Sequence, residues 1–61
     1  MVGKIYKKIS NKYGYIIDSD GKKYFFSRKD ILDDTKIEEG INVKFCIKQD
    51  LVLRAVSIYR L

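Results

Sequence analysis

The chain has 61 residues, with 13 Lys or Arg, 8 Asp or Glu and a formal net charge of +5. A chain of this length forms one small domain, spanning residues 1–61, whose core leaves no room for a deep substrate cavity. The sequence contains no histidine, the commonest general base near neutral pH. We therefore expect no enzyme, no cofactor, no bound metal and no small-molecule substrate.

Cys46 is the single cysteine, which excludes an internal disulfide and a cysteine-based metal cluster. We expect a small, buried or half-buried thiol that suits a reducing cytoplasm. The first ten residues have charges every few positions and lack the apolar region of a signal peptide, and no apolar run is long enough to cross a membrane. These features predict a cytoplasmic protein without a membrane partner.

Five short stretches rich in strand-forming residues follow one another along the chain. They are VGKIYKK (2–8), YGYIID (13–18), KKYFFS (22–27), INVKFCIK (41–48) and LVLRAVSIYRL (51–61). The sequence DSDG before the third stretch predicts a tight hairpin turn, which we prefer to a calcium loop because the closing glutamate is missing. In the fourth stretch, strict alternation predicts Val43, Phe45 and Ile47 on one face and Asn42, Lys44, Cys46 and Lys48 on the other.

The segment between the third and fourth stretches is too short and broken for a full helix. Residues 27–32 are compatible with one helical turn, with Ser27 in a capping position, and Gly40 is expected to take a positive φ. Five strands in so short a chain leave large exposed edges unless the sheet closes on itself. The pattern predicts an all-β closed barrel, and strand number alone does not distinguish it from an SH3-like barrel.

Alternation also predicts which aromatic rings face solvent. If Ile16 and Gly14 point inward, Tyr13 and Tyr15 point outward together. Pairing with the next strand places Phe25 beside them. In strand one, Tyr6 and Lys8 share one face by alternation, and Lys7 lies close to them in the chain. Stacked bases would cover such a face, each worth roughly 1–3 kcal/mol. Aromatic pairs also stabilise a sheet without any ligand, by about 0.2–1 kcal/mol, so alternation leaves both interpretations open.

The charge is unevenly distributed along the chain. Residues 1–29 carry eight Lys or Arg against two Asp, whereas residues 30–50 carry three Lys against six Asp or Glu. A basic first half that contains the exposed rings favours a polyanionic partner.

The same segments resemble the cold-shock domain family, in order and over nearly the whole chain. KYGYII (12–17) resembles the first RNA-binding motif of the family and YFFSRKDI (24–31) the second. VGKI (2–5), IEEGINVKFCI (37–47) and AVSIYRL (55–61) resemble its opening, its fourth strand and its end. The resemblance implies a five-stranded antiparallel OB-fold barrel with one short helical turn after strand three. It also implies binding of single-stranded RNA or DNA on the face of strands one to three.

In that family the motif aromatics stack on bases, and the matching positions here are Tyr13, Tyr15 and Phe25. Ser27 replaces the stacking histidine of the motif, and Arg28 replaces its last phenylalanine. The strand-one tryptophan of the family is absent. The expected nucleic-acid-binding residues are Tyr6, Lys7, Lys8, Lys12, Tyr13, Tyr15, Lys23, Phe25, Ser27 and Arg28, with Lys29 as a further phosphate contact.

Other departures from the family pattern indicate a weaker or shorter site. The loop LDDTK (32–36) lacks the usual aromatic and carries two aspartates that would repel phosphates, and the turn KQDLVL (48–53) lacks glycine. We expect a monomeric, single-stranded nucleic acid binder of low sequence specificity, acting as an RNA chaperone or as a regulator of gene expression. The alternative is an OB-barrel protein-interaction module that has lost nucleic acid binding.

Overall fold

The computed structural model describes residues 1–32 and 37–61, which form five strands and one 3-10 turn. The strands are β1 (Val2–Lys8), β2 (Tyr13–Ile17), β3 (Lys23–Ser27), β4 (Asn42–Gln49) and β5 (Leu53–Arg60), and the 3-10 turn is Arg28–Asp30. The strands close into a barrel in the order β1-β2-β3-β5-β4. The all-β barrel and the helical turn after strand three are confirmed. Within the two described ranges, no helix is long and apolar enough to cross a membrane.

The sheet is mixed, whereas the sequence predicted an antiparallel barrel. Four of the neighbouring pairs are antiparallel, and β3 pairs with β5 in parallel. The physical reason is topological, because a closed ring with an odd number of strands cannot be antiparallel at every pair. The parallel contact is short, with Phe25 opposite Arg54 and an isolated bridge between Ile31 and Ile58.

A bulge in β5 lets two residues of different parity enter the core. Ala55 and Ile58 are three positions apart, yet both are fully buried. The register between β4 and β5 shifts between Lys44 and Cys46, and Ser57 has a φ of 53°. Ser57 is the one non-glycine residue with a positive φ among those described. An extra residue in one strand turns the following side chains to the opposite face, which explains the spacing.

The core is built from inward positions of all five strands and from Ile37, which precedes β4. Among the described residues it is apolar apart from one phenol, that of Tyr24, whose ring centroid lies 5.2 Å from that of Phe45. The buried apolar residues are Ile5, Ile16, Tyr24, Phe26, Ile37, Val43, Phe45, Ala55 and Ile58. Gly40 takes the predicted positive φ, at 92°.

One prediction for β4 is wrong, because Cys46 was expected to be at least half-buried but is exposed. Ile47, which alternation groups with the buried Val43 and Phe45, is 42% exposed. The antiparallel pairing of β1 with β4 begins at Val2 opposite Lys44, so the later part of β4 extends past the end of β1. Without a neighbouring strand on that side, alternation no longer determines burial.

The β2–β3 turn is organised by the carboxylate of Asp18. Its Oδ2 accepts a hydrogen bond from the Tyr24 hydroxyl at 2.7 Å. Its Oδ1 accepts the backbone N–H groups of Asp20 at 2.9 Å and Lys22 at 3.0 Å. The hydrogen bond from Tyr24, followed by those from the backbone, lowers the pKa of Asp18 from its ordinary value of 3.8 although desolvation opposes the shift. DSDG is therefore a structured turn, as predicted.

This turn predicts an acid-dependent contribution to stability. Because the pKa of Asp18 is lower in the folded state, its stabilisation is present above pH 3.8 and is lost as the pH falls through the lowered folded value. We expect the melting temperature of the natural protein, followed by circular dichroism, to fall more steeply below pH 3.8 than that of Asp18→Asn. Asp20→Asn removes the same charge from the same turn and serves as the control. Parallel curves for the natural protein and Asp18→Asn would contradict the prediction.

Candidate nucleic-acid interface

Three aromatic rings form a continuous strip on the outer face of β2 and β3, which we call the aromatic row (Tyr13, Tyr15 and Phe25). The Phe25 centroid lies 5.8 Å from that of Tyr13 and 5.9 Å from that of Tyr15. Tyr15 and Phe25 are opposite each other in the β2–β3 register and half-buried, and Tyr13 is exposed. The residues between them along the chain are buried, so the outward placement that alternation predicted is what the structure shows.

A bulge in β1 brings a lysine beside this row. The register between β1 and β2 shifts between Ile5 and Lys7, so that Lys7 lies opposite Tyr15 and Lys8 opposite the buried Gly14. Simple alternation had placed Tyr6 and Lys8 at one parity, and that pattern ends at the bulge. Lys7, Tyr15 and Phe25 therefore form one row across β1, β2 and β3.

The bulge depends on the close approach of β1 to β2 at Gly14. A Cβ built at position 14 would lie 2.3 Å from the carbonyl oxygen of Lys7 and 3.1 Å from two ring atoms of Phe26. No side chain fits there without movement of the backbone. Glycine at this position is thus required by packing on both sides, against a strand and against a core ring.

Cations lie at both ends of the aromatic row. At one end, the Lys23 ammonium sits 4.7 Å from the centroid of the Tyr6 ring, a cation–π geometry. At the other end, the backbone N–H of Arg28 donates a 2.7 Å hydrogen bond to the backbone carbonyl of Lys12, which brings these two exposed residues together. Ser27 occupies the N-cap of the 3-10 turn and makes no side-chain capping hydrogen bond.

The predicted residues are thus gathered along one side of the barrel, around the outer face of β1, β2 and β3. Lys8 departs from this pattern, because the bulge sets it opposite the buried Gly14, and its backbone N–H donates a 2.9 Å hydrogen bond to Oε2 of Glu39. The aspartates predicted to repel phosphates, Asp33 and Asp34, lie outside the described residues. Within residues 1–32 and 37–61, no three His, Cys, Asp or Glu side chains are grouped so that they could hold a metal ion.

Sequence reasoning missed two apolar residues of the β4–β5 hairpin that lie beside the aromatic row. Val52 and Leu53, from the β4–β5 hairpin, line an open groove of about 450 Å³ together with Tyr15, Lys23 and Phe25. The signal in the sequence was an apolar Leu-Val-Leu run at a turn, where polar residues and glycine are usual. Its position against Phe25 depends on the parallel β3–β5 pairing, which local patterns do not reveal.

Arg54 fixes the start of β5, next to Val52 and Leu53, against β3. It lies opposite Phe25 in the parallel register, and its Nη2 donates a 2.8 Å hydrogen bond to Oδ2 of Asp30. Asp30 ends the 3-10 turn that follows β3, so the ion pair joins the end of β3 to the start of β5.

The barrel order, its single parallel closure and the bulged first strand define a cold-shock-domain-like OB fold. A solved structure described as Drosophila Unr CSD456, which contains cold-shock domains, is similar to this chain with a TM-score of 0.85 and 24% sequence identity. The match covers 98% of this chain and 26% of the other, so this chain spans about a quarter of that structure's length. No protein-family model matches the sequence, and no curated protein matches it. At this identity the likeness concerns the fold.

Gly14→Ala tests the packing constraint beneath the aromatic row. Because the new Cβ would meet a backbone oxygen rather than a flexible side-chain end, we expect the free energy of unfolding to fall by roughly 1–3 kcal/mol in urea titrations. Ser19→Ala, at an exposed position of the β2–β3 turn, is the control and should change it by less than about 0.5 kcal/mol. Natural stability in Gly14→Ala would show that β1 and β2 do not approach this closely.

Proposed function

We propose that this protein binds single-stranded nucleic acid, RNA or DNA, with little sequence preference. Successive bases stack on the aromatic row, while lysines around it neutralise phosphates. The observation that carries the proposal is the row itself, in which the Phe25 centroid lies within 6 Å of those of both tyrosines on an outer sheet face.

The geometry of the row supports a flat ligand. Its rings alternate with buried residues along β2 and β3, so they cannot all turn into the core. Tyr15 and Phe25 meet edge to face at 73°, and Tyr13 and Phe25 are tilted by 39°. Such rings offer several separate surfaces to a flexible strand whose bases turn independently. A rigid duplex keeps its bases stacked on one another and presents none to this face.

The charge around the row supports an anionic strand. The β1 bulge places Lys7 beside Tyr15, and the Lys23 ammonium lies over the ring of Tyr6. Lys12 and Arg28 are adjacent at the Tyr13 end. Cations on several sides of a stacking platform fit a polymer whose phosphates continue past the bound bases.

The biological role that we propose follows from this mode of binding. A protein that holds unpaired bases stabilises open strands relative to hairpins, and it needs neither a cofactor nor ATP to do so. We propose that it acts as an RNA chaperone or as a regulator of gene expression, and that it does so as a monomer in the cytoplasm. The resemblance of its motifs to those of cold-shock domains supports this role, and the similarity of its fold to Unr supports nucleic acid binding in general.

Loss of a ring should weaken binding to single strands. Each base–ring stack is worth about 1–3 kcal/mol, so we expect Tyr15→Ala and Phe25→Ala each to raise the Kd for labelled heptathymidine by roughly 5- to 150-fold in fluorescence anisotropy. Tyr59→Ala is the control, because Tyr59 is a partly exposed tyrosine, at 38%, that lies outside the aromatic row on β5, opposite Lys44 of β4. Its Kd should stay within about twofold of the natural value.

Duplex DNA of the same length distinguishes stacking from charge alone. Equal affinity for duplex and single strand, with no effect of Tyr15→Ala, would reduce the activity to nonspecific attraction of phosphates. No binding to heptathymidine at low salt would contradict the proposal and leave the barrel as a protein-interaction module.

The lysines beside the aromatic row should contribute to the salt dependence of the binding constant. Each phosphate neutralised on a single strand contributes about −0.7 to the slope of log Kobs against log salt. We expect Lys7→Gln and Lys23→Gln each to make the slope less steep by about 0.7, and Lys44→Gln, at an exposed position of β4, to leave it unchanged. Equal changes in all three variants would show that only the overall charge matters.

A further inference from the structure

The second half of β4 has a free edge. Pairing with β1 reaches Phe45, whose backbone N–H donates a 2.8 Å hydrogen bond to the Met1 carbonyl and whose carbonyl accepts one of 2.7 Å from the Met1 nitrogen. The strand continues from there to Gln49. Among the described residues, no strand pairs with β4 on this side after Phe45. β4 is therefore paired on both sides up to Phe45 and on the β5 side alone beyond it.

Two hydrogen bonds define the direction of the backbone groups along this edge. In an extended strand, residues two positions apart direct their N–H and C=O groups to the same side. Phe45 directs its groups toward β1, whereas the Asp50 N–H donates a 3.1 Å hydrogen bond to the Val52 carbonyl, on the β5 side. Odd-numbered residues thus face away from β5. Ile47 and Gln49 therefore offer their N–H and C=O groups to the free edge.

The side chains along this edge differ between the two faces of the sheet. Ile47, which is 42% exposed, shares the inner face with the buried Phe45. Lys44 and Lys48 lie on the outer face and are exposed. The sequence of β4 contains no acidic residue. A strand added at this edge would therefore meet an apolar side chain on one face and ammonium groups on the other.

We propose that this free edge, residues 46–49, binds an extended acidic segment of another protein as an added β-strand. Backbone hydrogen bonds to Ile47 and Gln49 hold the segment, as in other cases of strand addition to a sheet edge. Carboxylates at alternate positions complement Lys44 and Lys48, and the side chain between them packs on Ile47.

Charge and backbone chemistry distinguish this occupant from the alternatives. A second copy of the chain would bring its own Lys48 to the edge, and lysines on an edge strand oppose pairing between identical strands. A nucleic acid strand has no alternating N–H and C=O groups with which to extend the sheet. The free edge belongs to β4, whereas the aromatic row lies on β2 and β3, so the two surfaces can be occupied together.

The first measurement needs neither a ligand nor a variant. In the natural protein, amide hydrogen exchange followed by NMR should be faster at Ile47 and Gln49 than at Cys46 and Lys48, which lie opposite Val56 and Arg54 and direct their N–H groups toward β5. Equal protection at all four positions would show that the edge is already paired, and it would overturn the proposal.

The binding test titrates the peptide acetyl-Val-Glu-Val-Glu-amide into the natural protein. We expect saturable shifts of the Ile47 and Gln49 amide signals and slower exchange at both positions. The two valine N–H groups of the peptide point at β4, so a version N-methylated at both valines should have a Kd at least about tenfold higher. A version N-methylated at both glutamates, whose N–H groups point away, should stay within about twofold.

Two further comparisons test the charge complementarity. Lys48→Gln should raise the Kd of the acidic peptide by about two- to fivefold. Arg60→Gln removes the same charge at an exposed position opposite Val43, near the start of β4, and should leave the Kd unchanged. Replacing both glutamates of the peptide by lysine should weaken binding by more than the Lys48→Gln substitution does.

The remaining outcomes overturn the proposal. An equal Kd for the peptide N-methylated at its valines would exclude strand pairing. Displacement of the peptide by saturating heptathymidine, with shifts centred on Tyr15 and Phe25, would place it on the aromatic row instead. Concentration-dependent shifts of Ile47 without peptide would identify a second copy as the occupant. No shift of Ile47 at millimolar peptide would exclude an acidic strand.

Discussion

The close approach of β1 to β2 at Gly14 is the constraint on which the rest of the structure depends. A Cβ at this position would lie 2.3 Å from the Lys7 carbonyl oxygen, so only a glycine lets the bulged end of β1 lie flat on β2. The absence of a side chain at Gly14 also leaves room for the ring of Phe26, which packs in the core beneath it. One missing side chain therefore allows the core to close and places Lys7 beside Tyr15. The stacking surface and the packing beneath it arise from the same contact.

The second constraint is the odd number of strands. Closing five strands into a ring requires one parallel pair, and in this barrel it joins β3 to β5 at Phe25 and Arg54. The 2.8 Å ion pair between Arg54 and Asp30 reinforces this parallel β3–β5 pairing. As a consequence, the apolar hairpin after β4 stands next to the aromatic row. A barrel that closed elsewhere would leave Phe25 on an open face without a facing wall.

Much of the fold was predictable because each prediction rested on a local period. Alternation in β2 and β3 predicted Tyr13, Tyr15 and Phe25 on the outer face and Tyr24 and Phe26 within. It failed where the period of two is interrupted or where a neighbouring strand is missing. The β1 bulge reassigns Lys7 and Lys8, the β5 bulge buries both Ala55 and Ile58, and Ile47 and Cys46 extend past the end of β1. A bulge adds one residue to one strand only, and no local pattern marks which residue that is.

The sequence by itself determined the elements that depend on neighbours along the chain. These are the five strands, the turn at residues 18–21, the positive φ of Gly40 and the charge imbalance that makes the first half basic. The tertiary structure alone decided that β3 and β5 form the parallel pair. That pairing brings Val52, Leu53 and Arg54 next to residues about 30 positions earlier in the chain. The reason is physical, because side-chain alternation depends on local backbone geometry. The pairing of distant strands depends instead on how the whole ring closes around its core.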